Sequence, residues 1–180
     1  MKKVERPNLP NSLTIFRILA LPFCAYALFK NSGDDDKWRI IAFILFFIVG
    51  LSDILDGRLA RSRNQITEFG KLLDPIADKA MLATATVGAS TLGMLSWWVT
   101  GIFLIREVAV TILRFAVIKK GVIPASKGGK LKTFFQSFGV GFYILPLPSF
   151  LNTPRDLFMA VAIYLTISTG VDYFRKVLNK

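Results

Sequence analysis

Four aspartates fall inside one 26-residue window of this 180-residue chain: Asp53, Asp56, Asp74 and Asp78. The first two are spaced i, i+3 and the last two i, i+4, so on helices each pair sets its carboxylates on one face, a turn apart. Clustered carboxylates with no thiol or imidazole beside them are hard oxygen ligands, suited to magnesium or manganese. Two such ions together stabilise both the attacking and the leaving oxygen of an in-line displacement at phosphorus. The chain has no histidine, so proton transfer falls to a carboxylate, a lysine or water. Its one cysteine, Cys24, excludes an intramolecular disulfide and reads as a small buried hydrophobe in an apolar run. A single acidic pair at helical spacing is ordinarily a solvated face. Two pairs flanking a basic, glycine-containing segment are a different matter.

The elements that must position these acids are apolar. Hydrophobic residues make up 53% of the chain and the mean hydropathy is +0.49, yet the net charge is +11. A soluble nucleic-acid binder spreads such charge over a solvated face, whereas here it is confined to short segments between apolar runs. Nucleic acid is therefore not an expected partner. Six apolar stretches cover roughly 13–29, 38–54, 72–92, 97–118, 133–147 and 157–174. Several fall short of the ~20 residues of a full membrane span. The uncharged run 80–105 and its apolar continuation to 118 exceed one crossing, and a turn at 91–96 containing Gly93 divides them into a hairpin.

With six spans, both termini and the segments 58–71 and 119–132 share one side. That side carries Lys2, Lys3, Arg6, Arg58, Arg61, Arg63, Lys71, Lys119, Lys120, Lys127, Lys130, Lys132, Arg175, Lys176 and Lys180. The other carries Lys30, Lys37, Arg39 and Arg155. Positive charge concentrates in cytoplasmic loops. The expectation is an all-α integral membrane bundle of six transmembrane helices with cytoplasmic termini, forming a single domain over 1–180. It would sit in the cytoplasmic membrane with its site facing the cytoplasm. The first 30 residues read as a span and not a cleaved leader, since no small-residue cleavage site follows Phe29. Residues 1–12 suit the membrane surface, with Pro7 and Pro10 opposing a long helix there. Trp38, Trp97 and Trp98 fit interfacial anchoring.

Asp53 and Asp56 close the second span, and Asp74 and Asp78 open the third. A short loop makes these spans antiparallel neighbours, so the four acids converge near the cytoplasmic edge. Each costs ~2.5–3.5 kcal/mol on insertion scales if central and unpaired. Bound cations would offset that cost. Gly57 and Gly70 fit either tight helix packing or a close backbone approach to phosphate.

The run Asp53-x2-Asp56-Gly57-x2-Ala60-Arg61-x8-Gly70-x3-Asp74-x3-Asp78 resembles the complete signature of the CDP-alcohol phosphotransferase family, every fixed position being present. The six-helix plan and chain length are similar too. The resemblance implies transfer of a substituted phosphoryl group from a CDP-linked donor to an alcohol, with release of CMP. It implies two divalent metal ions, Mg2+ or Mn2+, on Asp53, Asp56, Asp74 and Asp78, with Asp78 as general base. The cytidine nucleotide would lie against Asp56, Gly57, Ala60, Arg61, Gly70 and Thr14. Asn11 and Arg17 would line a pocket, Asn11 fitting a helix cap equally well.

For the acceptor, Arg106 and Arg114 lie eight residues apart on the fourth span, on roughly one face. The following segment holds Lys127, Lys130 and Lys132. These lysines fit membrane-surface charge as well as a ligand, and Glu107 is available to pair with Arg106. Cations beside a phosphoryl-transfer site suit an acceptor that itself carries phosphate. Arg106-Glu107-x6-Arg114, Ser126-Lys127-Gly-Gly-Lys130-x-Lys132-Thr133 and Pro10-Asn11-x2-Thr14-x2-Arg17 resemble the family branch that joins CDP-diacylglycerol to glycerol 3-phosphate. That branch implies membrane lipids as surroundings and a homodimer. Inositol phosphate or serine as acceptor, a membrane prenyltransferase, and a cation transporter using the aspartates are the competing readings.

Overall fold

A computed structural model describes residues 9–62, 68–117 and 127–178, with side chains described for 14–52, 75–117 and 128–178. The described residues form helices joined by short turns, with no strand. In order they form α1 (Leu9–Phe29), α2 (Asp36–Ser62), α3 (Glu68–Thr91), α4 (Trp97–Val117), α5 (Lys127–Ile144) and α6 (Asn152–Leu178). Each coincides with one of the six apolar stretches, and all but α4 extend past it at one or both ends. The extra turns carry the polar residues that flank the runs.

The chain divides into two compact units, Met1–Gly88 and Ala89–Lys180. In the first, α1 and α2 pack along each other, joined by a tight turn. Asn31, Ser32 and Gly33 take left-handed backbone there (φ 53°, 56° and 77°) and reverse the chain within a few residues. Asp35 then caps α2, its carboxylate accepting from the backbone N–H of Lys37 at 2.9 Å and of Trp38 at 3.4 Å. Slight desolvation pushes this carboxyl up, but hydrogen bonds from the Asn31 amide and the two backbone N–H groups, with the Lys37 charge, hold it below the usual range. The cap is thus present at neutral pH and fades as the pH falls through the carboxyl's own titration. Above the turn the Lys30 ammonium lies 5.4 Å from the Tyr26 ring and 5.9 Å from that of Trp38. On α3, Gly88 meets fully buried Leu28 of α1 so closely that a Cβ would stand 2.6 Å from Leu28 Cδ2.

In the second unit α6 packs against both α4 and α5. The core holds Phe103, Val140, Ile144, Met159 and Ala162, and a chain of rings runs through Phe134, Phe135, Phe138, Phe142 and Phe158. The turn expected around 91–96 begins where α3 ends at Thr91. Met94 and Leu95 N–H both return to the Ala89 carbonyl (2.9 and 3.2 Å), and Gly93 occupies the left-handed position at φ 71°.

Polar side chains are buried beside the apolar core, and many large apolar ones face outward. Thr14, Arg17, Ser52, Thr86, Ser90, Thr100, Lys132, Gln136 and Thr166 are buried, while Leu19, Phe23, Ile105, Ile112, Phe115 and Tyr164 are among many large apolar side chains left exposed. Among the described residues one stretch, Ser149–Leu178, is long and apolar enough to cross a bilayer, with a mean hydropathy of 1.5. The α4 helix carries Arg106, Glu107 and Arg114, a high charge load for one crossing.

Gly93→Ala should lower stability by about 1 kcal/mol through left-handed strain. Gly101→Ala, in the α4 interior with nothing near its added Cβ, should raise it by up to about 1 kcal/mol. Thermal midpoints of the detergent-purified variants check the opposite signs.

Candidate functional site

The acidic pairs fall where helical spacing requires. Asp53 and Asp56 lie a turn apart on the last turns of α2, with Gly57, Ala60 and Arg61 following on the same helix. Gly70, Asp74 and Asp78 lie on the first turns of α3, which contains Pro75. The side chains of Asp53, Asp56, Ala60, Arg61 and Asp74 lie outside the described residues. So does that of Asn11, whose backbone is inside the first turn of α1.

Asp78 is described in full. From α1, the Arg17 guanidinium donates through Nη1 to Asp78 Oδ1 at 2.7 Å. The arginine side chain is 3% exposed and the carboxylate 51%. Arg17 is thus taken out of solvent and stabilised by a charge-assisted bond, while Asp78 keeps an open side. Thr14, one turn before Arg17 on α1, is also buried. Thr14, which the resemblance set beside the nucleotide, and Arg17, which it set in a pocket lining with Asn11, are thus both buried on α1. The pairing with Asp78, 61 residues away, is a contact that sequence reasoning missed. An arginine inside an apolar run demands a counter-charge, and that demand was the available signal.

Among the described residues no three acidic, cysteine or histidine side chains gather as a ligand group. The sequence sets four carboxylates on the last turns of α2 and the first turns of α3, in a chain without histidine. That chemistry fits a hard divalent cation.

A second polar centre lies inside the other unit, where α4, α5 and α6 meet. The Glu107 carboxylate on α4 takes Arg106 Nη1 at 2.9 Å and also accepts from the Lys132 ammonium on α5. Lys132 is 5% exposed and Glu107 15%. Arg106 Nη2 reaches Thr169 Oγ1 on α6 at 3.4 Å. One turn further along α5, buried Gln136 donates to Thr166 Oγ1 on α6 at 2.9 Å. Of the cations the sequence singled out, Arg106 and Lys132 thus share one acid. Arg114, two turns on, and Lys130 are exposed, and the side chain of Lys127 lies outside the described residues. Glu107 does pair with Arg106, as its position suggested. Its simultaneous hold on Lys132 was not legible, since it needs the α4–α5 register.

The opposite end of this unit holds an open cavity of about 590 Å3, lined by Trp97, Trp98, Met94, Met159, Tyr143 and Asp156 among others. Tyr143 donates to Asp156 there at 2.7 Å. Among the described residues no lysine or arginine lines it directly, and the nearby Arg155 is bonded to Asp156 at 3.0 Å and lies 4.3 Å from the Tyr143 ring.

Residues 7–168 match the family model described as CDP-alcohol phosphatidyltransferase. The chain is 47% identical over 172 residues to a Mycobacterium tuberculosis protein named probable phosphatidylglycerophosphate synthase, covering 96% of this chain and 82% of that one. It is 34% identical over 173 residues to the Rickettsia typhi CDP-diacylglycerol–glycerol-3-phosphate 3-phosphatidyltransferase, covering 93% and 96%. To the Bacillus subtilis protein of the same name it is 34% identical over 182 residues, covering 94% of each.

Replacing Glu107 by Ala would leave Arg106 and Lys132 facing each other without their shared acid. The expected loss is about 3 kcal/mol, at the low end for a broken buried pair because Glu107 keeps some solvent. Chemical or thermal unfolding in detergent checks it; a loss below about 1 kcal/mol would mean that water already screens the cluster.

Proposed function

Because this chain belongs to the CDP-alcohol phosphatidyltransferase family, we propose that it transfers the phosphatidyl group of CDP-diacylglycerol to glycerol 3-phosphate, giving phosphatidylglycerol phosphate and CMP. The observation that carries this acceptor assignment is the near full-length similarity to relatives named for that reaction. The cationic character of the α4–α6 centre supports it, since an acceptor bearing phosphate needs positive counter-charge.

Asp78 is the general base in this reading. It takes the proton of the acceptor hydroxyl as that oxygen bonds to the phosphatidyl phosphorus, and the bond from phosphorus to the CMP oxygen breaks. Arg17 holds one oxygen of Asp78 and so restrains how the carboxylate stands on α3. Asp53, Asp56, Asp74 and Asp78 would hold two magnesium or manganese ions, whose charge would neutralise the donor diphosphate. Arg61 adds a charge-assisted contact to the same diphosphate, and Gly57, Ala60 and Gly70 permit close approach of the nucleotide, with Thr14 and Asn11 beside it. Arg106, Arg114, Lys127, Lys130 and Lys132 serve the acceptor phosphate.

The reading places the chain in the cytoplasmic membrane as a single six-span domain, with the aspartates at the cytoplasmic edge. Support comes from the exposed apolar and buried polar side chains, because a soluble monomer rarely presents so much apolar surface. The asymmetry of Lys and Arg between the segments sets the orientation. An embedded catalyst also suits a donor whose acyl tails stay in lipid, and a homodimer is the proposed assembly.

Purified protein given CDP-diacylglycerol should release CMP with glycerol 3-phosphate. Release with inositol phosphate or serine and none with glycerol 3-phosphate would overturn the acceptor assignment. Asp78→Asn should lower turnover by about 10²–10⁴-fold while donor binding stays measurable. Turnover retained within tenfold would remove Asp78 from the role of base.

A further inference from the structure

Four side-chain atoms among the described residues are buried with no hydrogen-bond partner of their own, and three belong to the second unit: Arg106 Nε, Gln136 Oε1 and Tyr173 Oη. Such atoms in native structures take a partner from the protein, from water or from a bound ligand. Gln136 already bonds Thr166 through its amide nitrogen. On α6, Thr166, Thr169, Gly170 and Tyr173 recur at helical spacing and so lie along one face.

Arg106 stands apart because of how its guanidinium is divided. Nη1 is committed to Glu107 at 2.9 Å. Nε and Nη2 form the other edge of the plane, and that edge has only the long 3.4 Å contact from Nη2 to Thr169. This is the edge through which an arginine grips two oxygens of a phosphate in parallel. The element beside it is Gly170. A Cβ at that position would stand 3.3 Å from Arg106 Cγ and 3.9 Å from Arg106 Nε. The helix needs no glycine there on backbone grounds, since Gly170 lies inside α6 and is not among the positive-φ residues. Glycine in a helix interior in fact costs up to about 1 kcal/mol relative to alanine.

We propose that Gly170 is a positioning residue for the acceptor phosphate: carrying no side chain, it lets the stem of Arg106 lie against α6 and keeps the Nε–Nη2 edge for phosphate oxygens, while Glu107 anchors Nη1. The inference rests on the reading of Arg106 as part of the acceptor site. It adds that the aim of this arginine is set by an α6 position with no chemistry of its own. Any side chain at 170 pushes the stem by a few tenths of an ångström and fills the space beside Nε. Small misplacements of a binding group have large kinetic effects.

The test is steady-state kinetics of detergent-purified Gly170→Ala, with Gly170→Ser as a second variant of similar reach. The KM for glycerol 3-phosphate should rise about 3- to 10-fold, while the KM for CDP-diacylglycerol stays within twofold. The thermal midpoint should hold or rise, because alanine is the better helix former. Arg106→Lys, which keeps the charge and loses the fork, should raise the same acceptor KM, and adding Gly170→Ala to it should change nothing further. If Arg106→Lys raises the acceptor KM and neither Gly170 variant does, the positioning role is overturned and the acceptor reading stands. If neither Arg106→Lys nor the Gly170 variants move it, the acceptor reading of Arg106 falls and this inference with it. A rise in both KM values with a lowered midpoint would mark a packing defect and also overturn the proposal.

Discussion

An ionised side chain inside an apolar helix bundle must find a counter-charge, and this molecule is organised around that requirement. Arg17 goes to 3% exposure against Asp78, and Lys132 to 5% against Glu107. Neither pair is an efficient way to gain stability, since apolar replacements of similar volume are often as good or better. Their retention makes sense when the charges serve a ligand. Asp78 is far more exposed than Arg17, and Glu107 more than Lys132 though no more than Arg106. Arg17 and Lys132 are thus fixed by packing while Asp78 faces the wetter side. For Asp78 that arrangement suits a group that must exchange a proton and meet ions.

The two centres join different helices. Arg17 ties α1 to α3, its hydrogen bond to Asp78 measuring 2.7 Å. The α4–α6 centre ties three helices through one shared carboxylate and two hydroxyl–amide or hydroxyl–guanidinium contacts. Loss of one member of such a network leaves several polar groups unpaired at once. The consequences of single substitutions there are therefore less additive than at an isolated pair.

Much of the element plan was legible before any coordinates. Apolar runs bounded by charges marked six helices, and Gly93 marked the break between α3 and α4, because left-handed backbone after a helix is nearly a glycine property. The acidic pairs were legible as helical spacing, since i, i+3 and i, i+4 mean the same thing in any helix. What stayed hidden was partnership at long range. Nothing local told that Arg17 meets Asp78, or that Lys132 and Arg106 converge on one acid, because periodicity fixes a face and says nothing of the helix opposite. Gly170 was invisible for the same reason: its importance lies in a neighbour's stem passing over it.

The separation of 61 positions between Arg17 and Asp78 has a consequence for biogenesis. The α1–α2 hairpin is closed by a short left-handed turn and can form once α2, which runs to Ser62, has emerged. A ribosome adding about 5–20 residues per second then needs on the order of a second or more before Asp78 follows. For that interval the nascent hairpin carries a guanidinium whose eventual neutraliser does not yet exist, so it belongs at the water-facing border until α3 arrives. That ion pair is therefore completed later than the hairpin, when it joins α1 to α3.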